Sequence, residues 1–146
     1  MDHGQSIERF SLAPRTTPYE EWNGKTQLLR DGRPTEFFIQ GCDLKAQYQC
    51  GDYYLLATEY DCPFEESVTV TLLNKASKPI ACSTVPRTFY PTLGAARYFF
   101  DKIIWQDAHR FELHIQDLPY HFQYTIRESS IPFLNARLRK RMIRNA

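Results

Sequence analysis

Between Phe111 and Ile126 the chain alternates with a period of two. Phe111, Leu113 and Ile115 are separated by Glu112, His114 and Gln116; after Asp117-Leu118-Pro119-Tyr120, the return run sets Phe122, Tyr124 and Ile126 among His121, Gln123 and Thr125. Alternation of this kind predicts half-buried strands with one face on a core and one in water. Pairing Ile115 with Phe122, Leu113 with Tyr124 and Phe111 with Ile126 puts all six on one face. A slip of one residue would expose them, which specifies the register strongly. Gln123 then stands opposite His114, and His114 lies diagonal to His121 on a polar face that reads as solvated. Ile103 and Trp105 extend the same sheet beyond the Asp107-Ala108-His109 turn.

Two further hairpins follow from register. Leu44–Cys50 meets Tyr53–Glu59 through Gly51-Asp52, with glycine first as a II′ turn prefers; Cys50 pairs with Tyr53, Tyr48 with Leu55 and Ala46 with Ala57. Val68–Leu72 meets Ile80–Thr84 through residues 74–78, setting Leu72 against Ile80 and Val70 against Cys82, with Thr69 and Thr71 facing away. Thr26–Arg30 and Thr35–Gln40 add strands, for about eight or nine in all. Residues 85–94, with Pro86, Pro91 and Gly94, read as a long connection. At the C-terminus Ser130 can cap, Pro132 suits a first turn, and Leu134, Leu138 and Met142 recur every four residues, which predicts a helix over about residues 131–144. The expected fold is mainly β: an antiparallel meander forming a sandwich or strongly curved sheet, with one C-terminal helix. Residues 1–24 read as an irregular N-terminal arm and 25–146 as a single β-rich domain.

Composition adds little to this picture. At 146 residues, with 42% hydrophobic and 24% charged residues, the chain has ordinary globular values and no need of staples. Its 14% aromatics favour strands. A net charge of +1 argues against a generally basic nucleic-acid protein. The N-terminus lacks a basic and apolar leader, and no apolar run reaches the ~18 residues that span a bilayer. A cytoplasmic location is expected, and with it four unbridged thiols at Cys42, Cys50, Cys62 and Cys82.

Chemistry-bearing patterns are sparse. The cysteines show no C-x-x-C and the histidines no H-x-x-x-H, so neither a metal nor a cofactor is expected, although His114, His121 and Glu112 share a face. Cys62 lies in a turn whose neighbours are acidic, which disfavours a reactive thiolate and argues against an enzyme of the Cys-His type. Two charged segments remain as candidate partner-binding sites. Glu59, Tyr60, Asp61, Phe64, Glu65 and Glu66 mix carboxylates with aromatics, a composition that steers and anchors a basic partner. Arg137, Arg139, Lys140, Arg141 and Arg144 form a basic run, read as one face of the terminal helix.

The block Tyr53-Tyr54-Leu55-Leu56-Ala57-Thr58-Glu59-Tyr60-Asp61-Cys62-Pro63-Phe64-Glu65-Glu66, with Val68–Leu73 after it, resembles small single-domain bacterial proteins of the toxin-immunity type. The resemblance implies a non-enzymatic cytoplasmic module that binds and neutralises a cognate toxin; the acidic segment at residues 59–66 makes a basic toxin domain the expected protein partner. A structural or assembly component, including a homodimer, is the alternative; a small-ligand binder or enzyme of unknown reaction is a further one. Neither nucleic acid nor membrane is an expected partner.

Overall fold

The computed structural model describes residues 3–16, 18, 21–60, 67–85, 98–131 and 134–145. Twelve strands lie among them: β1 (Gln5–Ser6), β2 (Phe10–Leu12), β3 (Lys25–Arg30), β4 (Arg33–Gln40), β5 (Asp43–Cys50), β6 (Tyr53–Glu59), β7 (Val68–Leu73), β8 (Pro79–Val85), β9 (Phe100–Asp107), β10 (Arg110–Ile115), β11 (Tyr120–Arg127) and β12 (Arg137–Arg144). All pairings are antiparallel. They build a five-stranded sheet of order β1-β5-β6-β7-β8, a four-stranded sheet β12-β11-β10-β9 and a three-stranded sheet β2-β3-β4.

The five-stranded sheet is the middle layer. Leu55, Ala57, Val68, Val70 and Leu72 point from it toward Ile103, Phe111, Leu113, Phe122, Tyr124 and Ile126 of the four-stranded sheet. On its other side Tyr54, Leu56 and Leu73 meet Phe10, Leu28 and Ile39 of the three-stranded sheet. Burial on both faces explains why β6 and β7 read as nearly continuous apolar runs rather than alternating ones. Each leucine so enclosed contributes about 1.5–3 kcal/mol. The threonines of these strands are buried with the leucines: the Thr58 hydroxyl donates to the Gln40 carbonyl at 2.6 Å, and the Thr69 and Thr84 hydroxyls bond at 2.8 Å.

The β5–β6 hairpin has the expected register, with Cys50 opposite Tyr53, Tyr48 opposite Leu55 and Ala46 opposite Ala57. The β7–β8 hairpin is displaced by one residue: Leu72 faces Ala81 and Val70 faces Ser83, with an irregularity at Leu73 and Pro79. Its turn is wound on Asn74, whose Oδ1 accepts from the Ala76 and Lys78 N–H groups, while Ser77 takes a left-handed φ of 68°. That extra residue shifts every later pair, turning Ser83 to the core and leaving Cys82 exposed.

The β10–β11 hairpin keeps the expected face but slides by two residues. Leu113 pairs with Phe122 and Phe111 with Tyr124. An even slip preserves the inward set, so alternation could not distinguish the two registers. The C-terminal expectation is corrected. Arg137–Arg144 is a strand, and no α-helix occurs among the described residues. All eight residues of β12 pair with β11, from Tyr120 opposite Arg144 to Arg127 opposite Arg137. This satisfies what would otherwise be an open edge of β11. Leu138 and Met142, four apart, fall on one face of a strand as well as of a helix.

Two short strands lie within the N-terminal arm. β1 pairs with β5, and the Gln47 side chain holds the start of β2: its Oε1 accepts from the N–H groups of Arg9 and Phe10 at 2.9 and 2.8 Å, and its Nε2 donates to the Phe10 carbonyl at 2.9 Å. Phe10 thereby becomes part of the second core.

Candidate functional site

The four-stranded sheet has one face on the core and the other outward. By strand alternation the outward residues are Glu112 and His114 on β10, His121, Gln123 and Thr125 on β11, and Arg137, Arg139 and Arg141 on β12. Arg141 pairs with Gln123 and Arg139 with Thr125; Lys102 of β9 pairs with His114. A basic strand therefore borders a cluster of imidazole, carboxylate and amide groups.

Continuing the ladder one step past Leu113 and Phe122 sets His114 directly opposite His121. This corrects the expectation that Gln123 faces His114. The two rings stack with centroids 4.7 Å apart and planes 16° from parallel. Both present Nε2 to one oxygen, Glu112 Oε1, at 2.8 Å from His114 and 3.6 Å from His121. The other carboxylate oxygen accepts from Gln106 Nε2 at 2.6 Å, and Gln106 Oε1 accepts from Gln123 Nε2 at 2.8 Å. The hydrogen bond with His114, aided by the His121 charge and Gln106 and opposed by partial burial, holds the Glu112 carboxyl below its ordinary range. His121 Nδ1 meets Asn145 Oδ1 at 2.6 Å. Asn145 and Gln106 were not candidates in the sequence; only the β12–β11 and β9–β10 pairings bring them here.

The basic run lies along β12, which pairs with no strand on its outer side among the described residues. Arg137, Arg139, Arg141 and Arg144 are exposed, and among the described residues none forms an ion pair or side-chain hydrogen bond. Lys140 projects to the inner side at the sheet margin, its ammonium 5.6 Å from the Phe122 ring centroid. Met142, beside it, is 62% exposed.

Of the acidic segment, Asp61, Phe64, Glu65 and Glu66 lie outside the described residues, as does Cys62. Glu59 is turned inward and is 9% exposed. Its Oε1 accepts from the Phe100 backbone N–H, tying β6 to the start of β9, and its Oε2 lies 3.5 Å from Lys45 Nζ. Tyr60 donates its hydroxyl to Gln40 Oε1 and packs against Trp22 at 5.7 Å. Of the thiols, Cys50 is buried and Cys82 exposed, both unbridged; burial pushes the Cys50 thiol up to about 12.

Comparison with protein-family models, with characterised proteins and with solved structures finds no match to this chain.

Proposed function

We propose that this protein is a non-enzymatic binding module that docks a protein partner through the basic strand β12 and the outward face beside it. One observation carries the reading: Arg137, Arg139, Arg141 and Arg144 stand on a strand with one open edge and have no acidic partner among the described residues. Uncompensated like charge in a row repels itself, and it is relieved when an acidic surface meets it. Arginine suits that task, because its planar fork pairs bidentately with carboxylates. Glu59, by contrast, spends its carboxylate inside the fold and is withdrawn from docking.

The same charges weigh against self-association through this edge. A two-fold pairing centred between Lys140 and Arg141 would set Arg141 beside Lys140 and Arg137 beside Arg144, and like charges directly opposite destabilise a ladder. Toxin neutralisation, the role implied by the resemblance of residues 53–73, is the form of this module we favour, now with an acidic patch on the toxin as the complement.

The test is association with an acidic toxin domain, taken from any toxin gene found beside the gene for this protein. Arg139→Glu with Arg141→Glu should slow association at least tenfold at low salt, leave the melting temperature within a degree or two, and flatten the fall of rate with salt. Equal association rates for wild type and the double variant would remove β12 as the docking element.

A further inference from the structure

We propose that Glu112, His114 and His121 form a binding site for a divalent first-row transition metal, with zinc the reference ion. It stands independently of the docking role of β12. One ligand atom from each of the three residues lies within 4.8 Å of the other two. Their side chains are only 12–19% exposed, so the donors sit in a half-desolvated recess rather than on mobile stems. Two imidazoles and one carboxylate are a donor set that zinc and its neighbours accept, with remaining positions open to water.

The hydrogen bonds of Asn145 decide which nitrogen of His121 is offered. Asn145 is fixed by its own backbone, whose N–H donates to the Pro119 carbonyl at 2.8 Å, and by its Nδ2, which donates to the Leu118 carbonyl at 3.2 Å. With Nδ2 so engaged, Oδ1 faces His121 Nδ1 at 2.6 Å. An amide oxygen only accepts, so Nδ1 carries the proton. Nε2, the ring's other nitrogen, lies 3.6 Å from Glu112 Oε1 and is the atom a metal would take.

The distances suit a metal. Bond lengths of about 2.0–2.2 Å in a tetrahedral shell place neighbouring ligand atoms about 3.3–3.5 Å apart. The observed 2.8 and 3.6 Å bracket that spacing, and metal binding requires the two imidazoles to rotate out of their stack, whose planes lie 16° from parallel, so that both ring planes pass through the ion. The outer partners are also in place. Asn145 on His121 and Gln106 on Glu112 orient two of the three ligands, the role such partners play in metal sites. Lys102, opposite His114, opposes a bound cation, but its exposure leaves it screened by solvent.

The experiment uses the untagged full chain, stripped with chelator and titrated with Co²⁺ or Zn²⁺ near pH 7.5. One equivalent should bind saturably in the micromolar range or tighter, with Co²⁺ giving the visible absorption of a low-coordinate nitrogen–oxygen site. Glu112→Gln, His114→Gln and His121→Gln should each weaken binding at least tenfold, and Asn145→Ala by about 10–100-fold. His109→Gln, on the neighbouring turn, should change nothing. Should a ligand variant fail to fold, paramagnetic perturbation by Co²⁺ in the wild-type NMR spectrum, centred on the His114 and His121 rings and falling with distance from them, supplies the same assignment. No saturable binding at 100-fold excess metal overturns the proposal. Binding that survives the His114→Gln/His121→Gln double variant, or perturbation centred on other residues, overturns it as adventitious surface binding.

Discussion

Replacing Glu59 by alanine separates a structural carboxylate from a docking one. Glu59 is buried at the end of β6, accepts from the Phe100 N–H and pairs with Lys45. Truncation removes a charge-assisted hydrogen bond and strands a partly buried backbone donor, a loss of about 1.5–3 kcal/mol. The Lys45 pair adds about 0.5 kcal/mol or less, because the lysine is 37% exposed and also has Asp43 at 3.0 Å. Lost burial of the one methylene that alanine lacks contributes up to about 0.8 kcal/mol, partly offset by released rotamer entropy. The sum for Glu59→Ala is about 2–4 kcal/mol, or some 6–12 °C in melting temperature for a chain of this size. Glu59→Gln keeps an acceptor for Phe100 while turning an amide N–H toward Lys45, and should cost about 1 kcal/mol. Urea unfolding followed by the fluorescence of the two tryptophans, Trp22 and Trp105, measures both. If Glu59→Ala lies within 0.5 kcal/mol of wild type, the inward role assigned to this carboxylate is wrong and its place in an acidic docking surface is restored.

Three other outcomes are expected. Leu113→Ala, at a fully buried position between the two larger sheets, should destabilise by about 2–5 kcal/mol in the same assay, and a change under half a kcal/mol would contradict the packing of β10. Burial pushes the Tyr124 phenol up to about 12, against about 10 in the unfolded chain. Its stabilising effect is therefore whole below pH 10 and fades between pH 10 and 12 at about 1.4 kcal/mol per pH unit; Tyr124→Phe, which forfeits the 2.8 Å bond to Ser83, should lose that slope, and an unchanged alkaline profile would refute the assignment. Alkylation at pH 8 mapped by peptide mass should label exposed Cys82 quickly and buried Cys50 only after unfolding, and equal rates would contradict the burial of β5's last residue.

Much of the fold was legible because side-chain period and burial are the same physical fact. Alternation at residues 111–126 identified which side chains face the core, and the Gly51-Asp52 turn with its short loop set the register of β5 and β6. The same period also explains the misreadings. Alternation is blind to an even slip, so His114 was set beside Gln123 when the β10–β11 ladder sets it beside His121. Spacing by four residues is common to a strand face and a helix face, so Leu138 and Met142 could not distinguish β12 from a helix. What decided those cases was long-range. The open edge of β11 offered eight residues of backbone pairing, worth more to residues 137–144 than a solvated helix with one apolar row. That pairing carried Asn145 to His121, while β9 carried Gln106 to Glu112. Local sequence holds which side chains point outward; which of them meet depends on strand partners distant in the chain, because a ladder's register is set by the sum of all its contacts.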